Sequence, residues 1–300
     1  MPTTRSSGPT SGIGRRTALE LAAHGTVVLV GRDPSRLAEV EKDIRAKGGQ
    51  AVPVMCDFSD IQGVRRAAAD IVALNLPIVG LLNNAGTIVD GRRPDRAGLA
   101  PGVHDQSPRA VRIHRGARAV PPRRRERRFR LLRCRGPRAQ PAVVAGFRGG
   151  RYISAEASAR GGLTSGGSSR PGLDAYATSK QCNLATVLAL ARETARLRFN
   201  AVEPGFNPGT GLSRDANAAL RFVAKYVLSP LAPLIKYWST PKHAARVITR
   251  VLTDTSGATG VYYDENGKPM LGSTQVRDPD FSQRVVAETR ALLASDPSAE

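Results

Sequence analysis

Apolar positions in the first 86 residues fall into blocks of two kinds. Among short continuous runs, Thr26-Val27-Val28-Leu29-Val30 reads as a buried parallel strand, and Ala51-Val52-Pro53-Val54-Met55 and Ile78-Val79-Gly80-Leu81-Leu82 read as a third and a fourth strand. Between them lie stretches of helical spacing. Residues 15–24 carry Leu19 and Leu21 among small alanines, and Ser35 stands as the cap of a helix bearing Leu37, Val40 and Ile44. Gly48-Gly49 ends that helix, and residues 61–74 form a further, alanine-rich one. The alternation predicts an α/β protein with a parallel sheet covered by helices on both faces. The pattern resumes later: a long helix over 176–196, a strand over 198–202, a helix opened by Thr240-Pro241 and a last strand over 260–263. The start is discordant. Pro2-Thr3-Thr4-Arg5-Ser6-Ser7 occupies the place of a buried first strand, and burying Arg5 unpaired is costly, so a short, frayed or corrupted strand is expected there.

Two motifs add chemistry. Gly8-Pro9-Thr10-Ser11-Gly12-Ile13-Gly14 is a glycine-rich turn opening a helix, where backbone N–H groups of Gly8, Ser11, Gly12, Ile13 and Gly14 can meet a pyrophosphate. Arg32 follows the second strand, where such doubly wound folds read the dinucleotide ribose; an arginine there suits a 2′-phosphate, hence NADP(H) over NAD(H). A solvated surface arginine is the other reading. The second motif is Tyr176-Ala177-Thr178-Ser179-Lys180. On a helix, positions i and i+4 share a face, so a phenol and an ammonium stand side by side. A neighbouring cation favours phenolate and would fit Tyr176 for acid/base work. A pair on a solvated helix face is the alternative.

Gly8, Gly12-Ile13-Gly14, Asp57, Asn83-Asn84-Ala85-Gly86, Tyr176, Lys180 and Pro204-Gly205 come in an order and spacing that resembles the short-chain dehydrogenase/reductase family. The likeness is to its retinol dehydrogenase-like and WW domain-containing oxidoreductase-like subgroup, over residues 8–86 and about 150–300. It implies one Rossmann-type domain over residues 1–300. It also implies that Asp57 contacts the adenine, that Asn83 lies beside the adenine ribose, with Ala85 and Gly86 in the same motif, and that Pro204, Gly205 and Thr210 line the nicotinamide and phosphate end. Tyr176 would move the proton and Lys180 would hold the nicotinamide ribose. Taken one at a time, Asp57 also reads as a helix cap, Asn83-Asn84 as turn residues and Pro204-Gly205 as a loop breaker.

The family also needs a serine at the end of its fifth strand and a helical asparagine, both falling between residues 87 and 150. That stretch is aberrant. Residues 88–150 hold 17 Arg, no Lys and four acids, about +13 of the chain's +20. Runs such as Pro121-Pro122-Arg123-Arg124-Arg125 show neither apolar period. A GC-rich coding sequence read out of frame gives this composition. Started one base later, the codons of residues 106–115 permit Asn-His-Leu-Gly-x-Phe-Ala-Phe-Thr, like the family's asparagine helix. Those of 130–138 permit Val-Ser-Ser-Gly-Val-Glu-Asp-Pro, like its fifth strand and serine. Residues 88–148 are therefore expected to be frameshifted and disordered. In the encoded frame, Ser154 stands in for the serine only if residues 151–155 form the fifth strand; Ser158 is the other candidate.

Without that block the charge falls to about +7, so no specific nucleic acid is expected despite the basic total. Cys56, Cys134 and Cys182 give neither metal spacing nor a paired framework, and the four histidines no ligand set, so reduced thiols, a cytoplasmic protein and no metal are expected. No 18-residue apolar run and no leader-like apolar segment is visible. Residues 216–238 are apolar but broken by Pro230 and Pro233. By resemblance, 211–240 is a substrate lid suited to a lipophilic alcohol or carbonyl; ordinary core, or a peripheral membrane contact flanked by Arg221, Lys225 and Lys236, are the other readings. The resemblance also implies a homodimer. The competing functional reading is a family-derived protein that is catalytically impaired and at most binds cofactor.

Overall fold

A computed structural model describes residues 1–86, 130–133, 150–159, 162–163, 171–207 and 237–294. Among them the strands are β1 (Thr3–Ser7), β2 (Thr26–Gly31), β3 (Ala51–Met55), β4 (Ile78–Asn83), β5 (Arg130–Arg133), β6 (Phe199–Val202), β7 (Tyr262–Tyr263) and β8 (Pro269–Met270). The helices are α1 (Gly12–Leu21), α2 (Pro34–Arg45), α3 (Ile61–Ala73), α4 (Ala155–Ala159), α5 (Pro171–Glu193), α6 (Pro241–Thr253), α7 (Thr274–Arg277) and α8 (Pro279–Ala294). The sheet runs in the order β3-β2-β1-β4-β5-β6-β7-β8, parallel throughout except for the antiparallel β7–β8 edge. Chain order reverses between β1 and β4, so this is the doubly wound Rossmann arrangement read from the sequence.

Alternate residues of each strand feed opposite layers. Val27, Leu29, Leu82 and Val202 pack with Ile13, Leu21, Leu37, Ile44, Ile248 and Leu252 of α1, α2 and α6. Val28, Val30 and Val54 face the other way, onto Val64, Ala67 and Ile71 of α3. Phe199 and Ala201 continue that layer under α5 and α8, with Leu184, Val187, Phe281 and Val285.

Several expectations need correction. β1 is neither short nor frayed: its five residues pair with β2 and β4 in the middle of the sheet, and Arg5 is 3% exposed between Val28 and Leu81 in register. Strand pairing, not side-chain hydrophobicity, holds it there, and burial pulls the Arg5 guanidinium down to about 9, with the Cys56 side chain as a charged neighbour acting the other way. Asp33 rather than Ser35 caps α2, its carboxylate accepting from the Arg36 N–H at 3.1 Å, because Pro34 already occupies the first helical position. The fifth strand is Arg130–Arg133, not residues 151–155. It is the described part of the aberrant block, and it is extended rather than disordered; the rest of 88–148 lies outside the described residues. Helix α8, which covers the α5 layer, was not anticipated.

Candidate functional site at the carboxyl edge of the sheet

In an open doubly wound sheet the ligand crevice opens at the carboxyl ends of the strands, where chain order reverses. Here that is the gap between β1 and β4, and one hydroxyl laces it shut at its base. Ser7 Oγ donates to the Leu82 carbonyl (3.3 Å) and accepts the N–H groups of Asn84 (3.0 Å) and Ala85 (3.1 Å). The Asn84 side-chain amide donates to the carbonyls of Ser7 (3.2 Å) and Gly8 (3.3 Å). Sequence reasoning missed Ser7, and it gave Asn84 no role beyond its place in the Asn83-Asn84-Ala85-Gly86 motif. Asn83 is the half-buried last residue of β4, whereas its neighbour Asn84 grips the turn.

The turn itself fits an anion. Gly8 and Gly12 sit at positive φ, +63° and +51°, where a side chain would be strained. Gly14 has ordinary φ, but a Cβ there would lie 2.1 Å from the Gly8 carbonyl oxygen and 2.4 Å from the Asn84 amide nitrogen. The chain folds back on itself because that position carries no side chain. Ser11, the N-cap of α1, makes no side-chain capping bond, and no acid stands in the first turn, so the positive helix end is left to an outside acceptor. Ile13 instead anchors the helix in the core, 2% exposed. Arg32 is exposed just past β2. Asp57 is exposed too, and its carboxylate accepts from the N–H and hydroxyl of Ser59 at 2.9 and 2.8 Å. It is not the cap of α3, a place taken by Asp60. Gly86 ends the described stretch, exposed, after half-buried Ala85.

Tyr176 and Lys180 lie in the first half of α5, which returns antiparallel from the carboxyl edge toward the start of β6. They are 2% and 3% exposed, so the solvated-face reading of the pair does not hold. The Lys180 ammonium stands 5.0 Å from the centre of the Tyr176 ring, a cation–π approach. The Tyr176 carbonyl accepts the Ser179 hydroxyl at 2.7 Å.

Pro204 and Gly205 leave the carboxyl end of β6. Gly205 has φ +70°, and a Cβ on it would press on the Tyr237 carbonyl and on the Glu265 and Ser239 side chains. The Asn207 amide donates to the carbonyls of Pro204 (2.8 Å) and Gly205 (2.9 Å). Phe206 bridges to Trp238, their rings 4.9 Å apart. Thr210 and lid residues 211–236 lie outside the described residues. Ser154 is not at a strand end: its hydroxyl accepts the Ala157 N–H at 3.0 Å, at the start of α4. Ser158, on α4, is 4% exposed.

This sheet, with a glycine turn at its reversal point, defines a Rossmann-type α/β protein. Residues 7–98 match the family model for short chain dehydrogenases. It is 41% identical over 96 residues to a polyprenol dehydrogenase of Mus musculus, covering 31% of this chain and 29% of that protein. It is 38% identical over 81 residues to a fatty acyl-CoA reductase of Acinetobacter baylyi, covering 27% and 28%. The matched segment thus spans under a third of the length of these curated relatives. Likeness in fold extends further. The L-sorbose reductase of Gluconobacter frateurii, solved with NADPH and L-sorbose, superposes over 90% of this chain and 97% of its own with a TM-score of 0.60 at 20% identity. A 3-ketoacyl-ACP reductase from Sinorhizobium meliloti does so over 89% and 98% with 0.58 at 24%. No helix among the described residues is long and apolar enough to cross a membrane.

Proposed function

We propose that the protein is an NADP(H)-dependent oxidoreductase that moves a hydride between the nicotinamide and a lipophilic alcohol or carbonyl compound. The observation that carries this is the buried Tyr176–Lys180 pair, on the helix that returns from the same sheet edge as the glycine turn. Burial removes the solvent reading, and a tyrosine facing a lysine is the pairing that proton transfer to or from an alcohol oxygen needs. The dinucleotide, when bound, supplies or accepts the hydride. The chain's own part is to seat its pyrophosphate at Gly8–Gly14, meet the adenosine end with Arg32, Asp57 and Asn83, and place Pro204-Gly205 beside the reacting ring. Tyr176 then gives or takes the proton at the substrate oxygen, while Lys180 holds positive charge next to the phenol.

NADPH dependence is supported by Arg32 at the end of β2 and by the NADPH-bound fold neighbour. A lipophilic substrate is supported by the apolar composition of 216–238 and by the printed names of the polyprenol and fatty acyl-CoA relatives. The test is turnover of a panel of long-chain and isoprenoid aldehydes with NADPH. Tyr176→Phe should cut kcat by about 10²–10⁴-fold with cofactor affinity kept. Wild-type turnover that survives the substitution would contradict the assignment.

A second reading has its own observation. β5, between β4 and β6, reads Arg130-Leu131-Leu132-Arg133 where the family pattern expects an apolar strand closing on a serine, and Ser154 sits elsewhere, accepting a backbone bond in α4. On that reading the chain binds NADPH but turns over slowly, and the one-base-shifted frame across 130–138 would supply the serine. Restoring that frame in the gene should then raise kcat at unchanged NADPH affinity.

A further inference from the structure

Opposite the Tyr176–Lys180 pair, α5 is fastened to a strap of chain by contacts that no catalytic role requires. At roughly 100° per residue, Thr178, Gln181 and Cys182 project about 140–240° round the helix from Tyr176. The strap, residues 150–155, lies on that far side. Its Arg151 N–H donates to the Thr178 hydroxyl oxygen (2.8 Å), which itself donates to the Asp174 carbonyl one turn earlier (2.7 Å). Gly150 lies so close to the Gln181 side chain that a Cβ would overlap it. Tyr152 is buried in the same cluster as Cys182, its ring edge-on to Phe281 of α8 at 5.7 Å and 85°.

One carboxylate oxygen closes the arrangement. Glu288 Oε2, on α8, accepts both the Tyr152 hydroxyl (2.6 Å) and the Ala155 N–H (2.9 Å). Burial and the facing carboxylate push the Tyr152 phenol well up, so it remains a donor. The Arg284 guanidinium, one turn before Glu288, lies 5.7 Å from the centre of the Tyr152 ring. Helix α5 is thus pressed toward the sheet by a strap whose other end is tied to α8.

We infer that Glu288 is a positioning residue for the Tyr176–Lys180 pair, acting through Tyr152 and the strap to set how α5 sits on the sheet. The inference rests on the oxidoreductase reading above. Displacements of about 1 Å at a reacting group cost up to about 10²-fold in rate. Glu288→Ala should therefore lower kcat by about 10-fold while the KM for NADPH changes by less than about twofold, because the glycine turn lies on β1 and α1, away from the strap. Glu288→Gln should behave like wild type, since its amide oxygen can accept both bonds. Tyr152→Phe, which removes one of the two, should fall between. Amide hydrogen exchange gives a readout that needs no turnover: peptides covering 150–155 and 174–183 should exchange faster in Glu288→Ala and at the wild-type rate in Glu288→Gln, with peptides from β1 and α1 unchanged. Unaltered exchange in Glu288→Ala, or Glu288→Gln as impaired as Glu288→Ala, would overturn the inference. Absence of turnover in the wild type would sink the oxidoreductase reading, and the exchange experiment would still decide the strap.

Discussion

Gly14 is the residue whose replacement says most about the turn. A methyl group there meets backbone oxygen rather than a flexible side chain, so the turn must open to admit it. Gly14→Ala should lower stability by about 1–3 kcal/mol, the usual cost of overpacking, and weaken NADPH binding by more than about tenfold. Thermal melting and titration of the same sample check both. Arg5 makes the opposite case, a residue the fold tolerates at a loss. Its folded pKa of about 9 lies below the ordinary 12.5, so the folded state holds fewer protons between those values. The contribution of this one group to stability should therefore be least below its folded value and should rise with pH above it. Arg5→Val should raise the urea midpoint at pH 7, by on the order of 1–4 kcal/mol of stability, and flatten that climb relative to wild type. A variant less stable than wild type at pH 7 would mean that the guanidinium has a counter-charge.

At the scale of elements, what could be read from the chain and what could not divide along a physical line. β2 and β4 were legible because strands covered on both faces must be apolar along their length, and β3, an edge strand with Pro53 and Met55 exposed, was legible as a short apolar run. Helices α2 and α6 were legible from their spacing, Leu37, Val40 and Ile44 in one and Val247, Val251 and Leu252 in the other, all buried as read. β1 and β5 were not, since Thr3-Thr4-Arg5-Ser6-Ser7 and Arg130-Leu131-Leu132-Arg133 owe their strand state to partners on both sides, which no local pattern records. The site divided in the same way. Glycines and the Tyr/Lys spacing announce themselves, whereas Ser7 joins Leu82, Asn84 and Ala85 across more than seventy residues and has no local signature. The choice of cap for α2 is open to a direct check. Asp33→Ala should cost about 0.5–2 kcal/mol in a denaturant melt, while Ser35→Ala should stay within about 0.5 kcal/mol. The reverse order would restore Ser35 as the cap.

For the whole molecule, the sheet is continuous from β3 to β8, although residues 88–150 carry about +13 of the charge. The strand at 130–133 is formed by the encoded residues Arg130-Leu131-Leu132-Arg133, within the codons 130–138 whose one-base-shifted reading permits the family's fifth strand. Sequencing the DNA across codons 85–150 should show a frame interruption near each end of the block. An uninterrupted frame would leave the arginine-rich segment as the protein's own. The central claim, that the glycine turn and the edge near Pro204-Gly205 hold NADPH, has a reporter already in place. The chain's single tryptophan, Trp238, packs at a tilt against Phe206, immediately beside Gly205. Excited at tryptophan and titrated with NADPH, the protein should show saturable quenching with energy transfer to the nicotinamide. Affinity for NADH should be about tenfold or more lower, from the lost charge-assisted contact at Arg32. Tryptophan emission indifferent to either dinucleotide, or quenching that persists undiminished in Gly14→Ala, would contradict the account.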